Sequence, residues 1–200
     1  MKLHRTFRAA TLLLALALAA PLAQAGDAES FVRTKHGELT QLVNKSKNPA
    51  EDKKLEAAFD QVLDYDTLAR ESLKDFWAER TPAERTEFQD VLKRLVRAAY
   101  RKSLKRVGDY DIEYKGETKG EAGTVVRTVA KSRGNAREEP ISVDYVVRES
   151  DGKWQIVDIV TEGSSLVGNY RNQFRRIIKK DGFPELIRRM KTKLEKGEVG

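Results

Sequence analysis

The sequence predicts an α+β domain in which N-terminal and C-terminal helices pack against a curved, four-stranded antiparallel sheet. Two observations support this fold class. Apolar residues recur at helical spacing before residue 108 and after residue 164, and they alternate with polar residues between residues 110 and 160. The connections between the alternating segments are short and contain glycine, which is typical of an antiparallel meander.

The N-terminal segment has the pattern of a secretory signal peptide. Basic residues precede an apolar run at 9–20, which is too short to span a bilayer, and Ala23-Gln24-Ala25 fits a signal-peptidase site. We therefore expect residues 1–25 to be removed and residues 26–200 to form a single exported domain. A chain of this length is sufficient to bury a hydrophobic core.

The composition limits the kinds of function. The predicted signal peptide carries three of the 38 basic residues, so the mature chain would have 35 basic and 31 acidic residues and a net charge of +4. Such a mildly basic, mixed-charge surface does not indicate nucleic-acid binding. The sequence contains no cysteine, so neither a disulfide nor a thiol site is available to the exported protein.

Four helices are predicted before the sheet, at residues 29–44, 49–63, 66–77 and 81–107. The last has a strong start signal, because Thr81-Pro82-Ala83-Glu84 combines a capping threonine, an early proline and a glutamate three residues after the cap. Phe88 begins a broad apolar face on this helix, wider than the stripe of an ordinary surface helix.

Four strands follow at residues 110–119, 124–132, 139–149 and 154–160, and two helices close the chain at 165–180 and 184–196. The step from the fourth strand into the penultimate helix is sharp. Gly163 is the predicted turn residue, because glycine adopts unusual backbone angles at low energetic cost. Ser164 or Ser165 is expected to cap the helix that follows.

Residues for catalysis are scarce in this sequence. His36 is the only histidine after residue 25, and its charged surroundings indicate a solvated side chain; no metal-ligand spacing or phosphate loop is present. A carboxylate base would require Asp144 or Asp158, but Asp144 alternates to the polar side of its strand. We expect Asp158 to pair with an arginine or to cap the neighbouring helix, and we predict neither an enzyme nor a cofactor. Three hypotheses remain: a binding protein with a cavity, an interaction domain with a solid core, and an enzyme with a conical sheet.

Particular residues of the chain resemble the MlaC family, the periplasmic phospholipid-binding proteins of the Mla (toluene-tolerance) pathway of Gram-negative bacteria. The resemblance covers the whole chain, including the order of signal peptide, helices, strands and helices. The most specific matches lie around the fourth strand and the penultimate helix; they are Trp154, Asp158, Glu162-Gly163, Ser165-Leu166-Val167 and Tyr170-Arg171-Asn172-Gln173-Phe174. The start of the long helix at Thr81, together with Phe88 and Tyr100, also matches.

The resemblance implies a soluble periplasmic carrier whose cargo is a phospholipid, with the acyl chains in an apolar cavity between sheet and helices. It implies two partners, an inner-membrane ABC transporter complex with an MCE-domain ring and an outer-membrane lipoprotein–porin complex. The implied role is lipid transport that maintains outer-membrane lipid asymmetry, performed by a monomer. The basic residues of the penultimate helix, from Arg171 to Lys180, form either a solvated face or a docking surface.

A carrier needs a cavity about as apolar as a bilayer, because each buried methylene contributes about 0.8 kcal/mol in either place. On the helices and the turn, the resemblance implies lipid contacts from Phe88, Leu92, Val96, Tyr100, Ser164, Leu166, Val167, Tyr170 and Phe174. On the sheet, it implies contacts from Ile141, Val143, Tyr145, Val147, Val157 and Ile159. If the fourth strand faces the other way, Trp154, Ile156 and Val160 replace Val157 and Ile159. Tyr100 and Val147 are expected to face the lipid from opposite walls.

Overall fold

The structure, a computed structural model, describes residues 26–45, 48–104, 107–135 and 137–197. The predicted signal peptide, residues 1–25, lies outside the described residues. The helices are α1 (Asp27–Lys45), α2 (Pro49–Val62), α3 (Tyr65–Leu73), α4 (Asp75–Ala78), α5 (Pro82–Leu104), α6 (Leu166–Asp181) and α7 (Phe183–Lys196). The strands are β1 (Tyr110–Lys119), β2 (Thr124–Ser132), β3 (Ile141–Ser150), β4 (Lys153–Thr161) and β5 (Ser164–Ser165).

The predicted α+β fold class is confirmed, with one more strand than expected. The strands form a single antiparallel sheet in the order β1-β2-β3-β4-β5. The additional strand β5 has two residues, which pair with Val160 and Thr161 of β4. A two-residue strand leaves no alternating pattern in a sequence, so the four-strand prediction was wrong for this reason.

The helices pack in two groups around the sheet. In the first group, α1 and α2 contact each other, and together they contact all four long strands. In the second group, α3 packs on α6, α5 packs on α7, and α6 also packs on α7. Within the described ranges, no helix is both long and apolar enough to cross a membrane.

Local sequence signals account for several element boundaries. Thr81 and Glu84 form the predicted capping box, in which the Glu84 carboxylate accepts from the Thr81 backbone N–H at 2.8 Å and the Thr81 hydroxyl accepts from the Glu84 N–H at 3.3 Å. The predicted helix at 66–77 is instead divided at Lys74, which has a φ of 50° and separates α3 from α4.

Strand β1 forms an open edge of the sheet and carries charged side chains along that edge. The Asp111 carboxylate forms an ion pair at 2.7 Å with Arg133, the residue that follows β2. Glu113 forms ion pairs with both Lys115 and Lys131. A register shift between Tyr114 and Glu117 bends this strand.

Candidate functional site

An apolar cavity of about 360 Å³ lies between the sheet and the first group of helices. Residues from α1, α2, the C-terminal part of α5 and the four long strands surround it. Its walls are Val32, Lys35, His36, Leu39, Phe59, Val62, Leu63, Tyr100, Tyr110, Ile112, Ala130, Ile141, Val143, Tyr145, Ile156, Ile159 and Thr161. Because protein interiors normally contain few voids larger than a water molecule, a hollow of this size with aliphatic and aromatic walls indicates a binding site for an apolar ligand.

The cavity lining includes residues from one side of the sheet and a lysine from α1. In an antiparallel meander, the start of β1, the start of β3 and the end of β4 meet at the same side of the sheet, and Tyr110, Ile141 and Thr161 line the cavity there. Lys35 lies on the same lining and forms an ion pair with Glu38 at 2.8 Å, with 28 % of its side chain exposed. The lining is therefore mainly apolar but also carries the polar side chains of Lys35 and Thr161.

The sequence-based expectation of a solvated His36 was wrong. This side chain is half-buried on the cavity wall, and its Nδ1 atom lies 3.3 Å from the Tyr114 hydroxyl. The reason is helical spacing, because Val32, His36 and Leu39 occupy one face of α1. Burial lowers the pKa of His36, so the imidazole favours its neutral form on the wall.

Two tyrosine side chains form part of the cavity lining. They are Tyr100 and Tyr145, and both are half-buried. Burial raises the pKa of Tyr145 to about 12. Burial also raises the pKa of Tyr100, and the nearby Tyr145 raises it further. Both phenols are therefore neutral hydrogen-bond donors at physiological pH.

The predicted lipid-contact residues fall into five places, of which the packed core is the last. The cavity brings together Tyr100, Ile141, Val143, Tyr145 and Ile159. Leu166, Tyr170 and Phe174 line a second hollow of about 290 Å³ between α5, α6 and α7. Val157 and Val167 line a polar cleft of about 350 Å³ beside Asp158 and Arg171. Ser164 is exposed in β5.

The remaining predicted residues lie in the packed core. Phe88, Leu92, Val96 and Val147 are each at most 1 % exposed. The Phe88 ring meets the Phe174 ring edge-on, with centroids 5.6 Å apart. Most of α5 is enclosed by α3 and α7, so only its C-terminal part at Tyr100 reaches the cavity. These four side chains are therefore placed in the core instead of on the cavity wall.

A bulge in β4 decides which of its residues reach the cavity. Val146 pairs with Asp158, whereas the next residue, Val147, pairs with Ile156, so Val157 is an extra residue in the ladder. Because the bulge resets the alternation of side chains, Ile156 and Ile159 both face the cavity while Val157 faces the cleft. Each of the two facings considered from the sequence therefore holds for one side of the bulge.

The turn after β4 is held by Asp158, which caps the next helix as the sequence predicted. Its carboxylate accepts from the Ser165 hydroxyl at 2.5 Å and from the Val167 N–H at 3.0 Å. Ser165 is the N-cap of α6 and accepts from the Gly168 N–H at 2.9 Å. The backbone at Gly163 has a φ of 73°, as expected for a turn that favours glycine.

A charged cluster joins α2 to α5 behind the cavity wall. The Asp60 carboxylate accepts from Arg97, with one contact at 2.7 Å, and pairs with Lys93 at 3.1 Å. The Tyr65 hydroxyl donates to the same carboxylate at 3.2 Å. Burial alone would raise the pKa of Asp60, but the hydrogen bonds from Arg97 and Lys93 lower it overall. The carboxylate is therefore held in its charged form.

Metal-ligating side chains do not cluster in the part of the chain that the structure describes. No group of three or more histidine, aspartate or glutamate side chains there is arranged to hold a metal ion.

Comparison with protein families matches residues 35–192 to the model of the MlaC protein. The chain belongs to the MlaC family. Among curated proteins, none has a sequence that matches this MlaC family member.

A solved structure with the same fold comes from Ralstonia solanacearum and is described as a phospholipid-binding protein in complex with a phospholipid. Its TM-score is 0.73 at 23 % sequence identity, and the match covers 86 % of this chain and 99 % of that chain. The similarity extends over nearly all of both molecules and establishes the MlaC-type fold.

Reasoning from the sequence missed the contribution of the first group of helices. Val32, Leu39, Phe59 and Val62 line the cavity, but none was among the expected site residues. A signal for them was present, because both helices have apolar stripes at helical spacing. The expected site residues were placed instead on the broad apolar face of α5, and most of that face packs against other helices.

Proposed function

We propose that this protein is a soluble periplasmic carrier that moves phospholipid between the inner and outer membranes. The observation that carries the proposal is the apolar cavity of about 360 Å³ between the sheet and α1 and α2. Membership of the MlaC family and a neighbouring structure in complex with a phospholipid support it. The proposal includes cleavage of residues 1–25 during export, and binding and transport of lipid without chemical conversion.

The size of the cavity bears on how the cargo is held. If each methylene needs about the 30 Å³ that a water molecule occupies in the liquid, the cavity accommodates roughly a dozen methylenes. The acyl chains of a two-chain phospholipid, with some thirty methylenes, are therefore larger than this cavity and need additional space in the loaded protein. The second hollow, of about 290 Å³ between α5, α6 and α7, is a further apolar space nearby.

The direct test is to identify what the native protein carries. Protein prepared from the periplasm without detergent should yield about one phospholipid per chain after organic extraction and mass spectrometry. Protein stripped of lipid should regain it from vesicles. An extract without lipid, from protein that also takes none from vesicles, would contradict the carrier function and favour an interaction domain.

The proposed partners are an inner-membrane ABC transporter complex with an MCE-domain ring and an outer-membrane lipoprotein–porin complex. The exposed face of α6 suits an acidic docking surface. Four basic side chains on it are exposed and have no ion pair within the described ranges; they are Arg175, Arg176, Lys179 and Lys180. Arg171 differs, because it donates to the backbone oxygen of Glu71 at 2.8 Å and anchors α6 to α3.

Charge reversal separates the two interpretations of this face. Replacing Arg175 and Arg176 by glutamate should slow association with the transporter and weaken its salt dependence, because steering acts mainly on the association rate. Arg188→Glu on α7 is the control, since Arg188 is already neutralised by Glu185 at 2.6 Å. Equal association rates for the unmodified protein, the variant with glutamate at 175 and 176, and Arg188→Glu would mean that the basic residues of α6 form only a solvated face.

A further inference from the structure

Tyr100 and Tyr145 line the apolar cavity, and their hydroxyl groups have no protein partner among the residues that the structure describes. Within the described part of the chain, neither hydroxyl takes part in a hydrogen bond. Neither oxygen is sealed in the core, because the one enclosed and unpaired side-chain oxygen of the described residues belongs to Ser72. Both side chains line the cavity, Tyr100 from α5 and Tyr145 from the facing sheet. Two tyrosines with unpaired hydroxyls therefore line the same space from opposite walls.

An occupant made only of hydrocarbon would leave these hydroxyls unsatisfied. A buried donor that loses its partner, including water, is penalised more than a normal hydrogen bond gains. Apart from Lys35, His36 and Thr161, the surrounding wall is aliphatic or aromatic, and Ile159 is directly paired with Tyr145 in the sheet. A ligand that brings an acceptor atom to this depth is therefore favoured over one that brings only methylenes.

The neighbouring charges favour a neutral acceptor over an anion. The ionisable bases of the lining are Lys35 and His36. Lys35 is paired with Glu38, and burial favours the neutral imidazole of His36. A phosphate drawn between the tyrosines would lack a cation to compensate its charge, whereas a neutral carbonyl oxygen needs only a donor.

We propose that Tyr100 and Tyr145 donate hydrogen bonds to the ester carbonyl oxygens of the acyl chains, so that the cavity selects ester-linked over ether-linked lipids. This inference rests on the proposed carrier function and adds the chemical group that the cavity recognises. It also places the glycerol end of the lipid, where both esters lie, between these two side chains. The acyl chains then extend from that point along the apolar walls.

The test is competition between two phospholipids that differ only in the ester and ether linkages. Stripped protein is mixed with vesicles that contain equal amounts of a diester lipid and its diether analogue, with the same head group and chain lengths. Native mass spectrometry gives the ratio of the two bound species. The unmodified protein should favour the diester lipid, by roughly fivefold for each hydrogen bond.

Phenylalanine substitutions assign the preference to the two hydroxyls. Tyr100→Phe and Tyr145→Phe should each lower the diester preference roughly fivefold, and the double variant should take both lipids equally. The diether lipid should bind at least as well to all variants as to the unmodified protein, because phenylalanine removes a donor that this lipid leaves unsatisfied; loss of diether binding would show that the cavity is damaged. Tyr65→Phe is the control, because the Tyr65 hydroxyl donates a hydrogen bond to Asp60 outside the cavity. The diester preference of this variant should equal that of the unmodified protein.

Three results would overturn the inference. They are equal uptake of both lipids by the unmodified protein, an undiminished preference in the double phenylalanine variant, and the same loss of preference in Tyr65→Phe. In each of these cases lipid is still bound, so the carrier function stands. Uptake of neither lipid would instead contradict the carrier function itself.

Discussion

The ring of Phe59 on α2 lies against the ring of Tyr100 on α5, with centroids 4.8 Å apart and an interplanar angle of 42°. This contact closes the cavity where the two groups of helices meet. Tyr100→Glu should leave the fold intact, because an empty cavity can hydrate the new carboxylate, but it should exclude acyl chains. Circular dichroism and lipid extraction measure the two effects. A folded Tyr100→Glu variant that retains its lipid would contradict the position of Tyr100 in the binding site.

Val147→Glu is the matched substitution in the packed core. Val147 is 0 % exposed, so a carboxylate there has neither a partner nor water. The penalty is several kcal/mol, against a native stability of about 5–15 kcal/mol. We expect this variant to be unfolded by circular dichroism. A folded, lipid-free Val147→Glu protein would instead mean that the cavity extends to this strand position.

Asp60→Asn should weaken the attachment of α2 to α5. The Asp60 side chain is 19 % exposed. Removal of its charge should therefore lower the free energy of unfolding by more than the ~1 kcal/mol expected for a surface ion pair and by less than the ~3–5 kcal/mol expected for a fully buried one. Because the folded pKa is lowered, this stabilisation is present above about pH 4 and is lost as the pH falls through the folded pKa. Urea unfolding should show a smaller difference in stability between the variant and the unmodified protein at pH 2.5 than at pH 7. An equal difference at both pH values would contradict an electrostatic role.

His36 should make the protein less stable in mild acid. Its pKa is lower in the folded state than the ordinary value of about 6.5, so the unfolded chain binds the proton more readily. Its contribution is therefore present above about pH 6.5 and is lost as the pH falls towards the folded pKa. His36→Gln should reduce the difference between thermal midpoints at pH 7.5 and pH 5.5. An unchanged difference would mean that other groups cause the acid sensitivity.

Ser165→Ala should destabilise the protein by about 1–2 kcal/mol, as expected for loss of an N-cap. The Ser165 hydroxyl accepts from Gly168 and donates to Asp158, so its removal also leaves the carboxylate with one donor fewer. Ser164→Ala is the control at the adjacent position, where the exposed hydroxyl only accepts from the Asn169 side chain at 3.0 Å. Its effect should lie within about 0.5 kcal/mol of zero. Equal urea midpoints for the two variants would contradict the capping role.

Sequence patterns predicted some of these features better than others. The bounds of β1 and β2 and the capping box at Thr81 agree with the structure, because alternation and capping are local properties. The bulge at Val157 has no such signature, since any β-branched residue suits both a regular strand and a bulge.

The sequence also could not predict which apolar residues line the cavity and which lie in the packed core. Phe88 and Tyr100 both lie on the apolar face of α5, but Phe88 meets Phe174 in the core while Tyr100 faces the cavity. Packing and cargo binding both require apolar side chains. Only the spacing between helices and sheet decides which role a residue has, and that spacing is a property of the assembled fold.

The charged outer edge of β1 has a consequence for self-association. An unprotected edge strand is a template on which a second chain can add a strand, and repeated addition leads to fibrils. Here charged side chains, among them Asp111 and Glu113, and the bend at the register shift near Gly116 disfavour the addition of another strand. The edge thereby disfavours the joining of copies at the sheet, which matters for the proposed carrier because loading and release of a lipid would expose its apolar cavity.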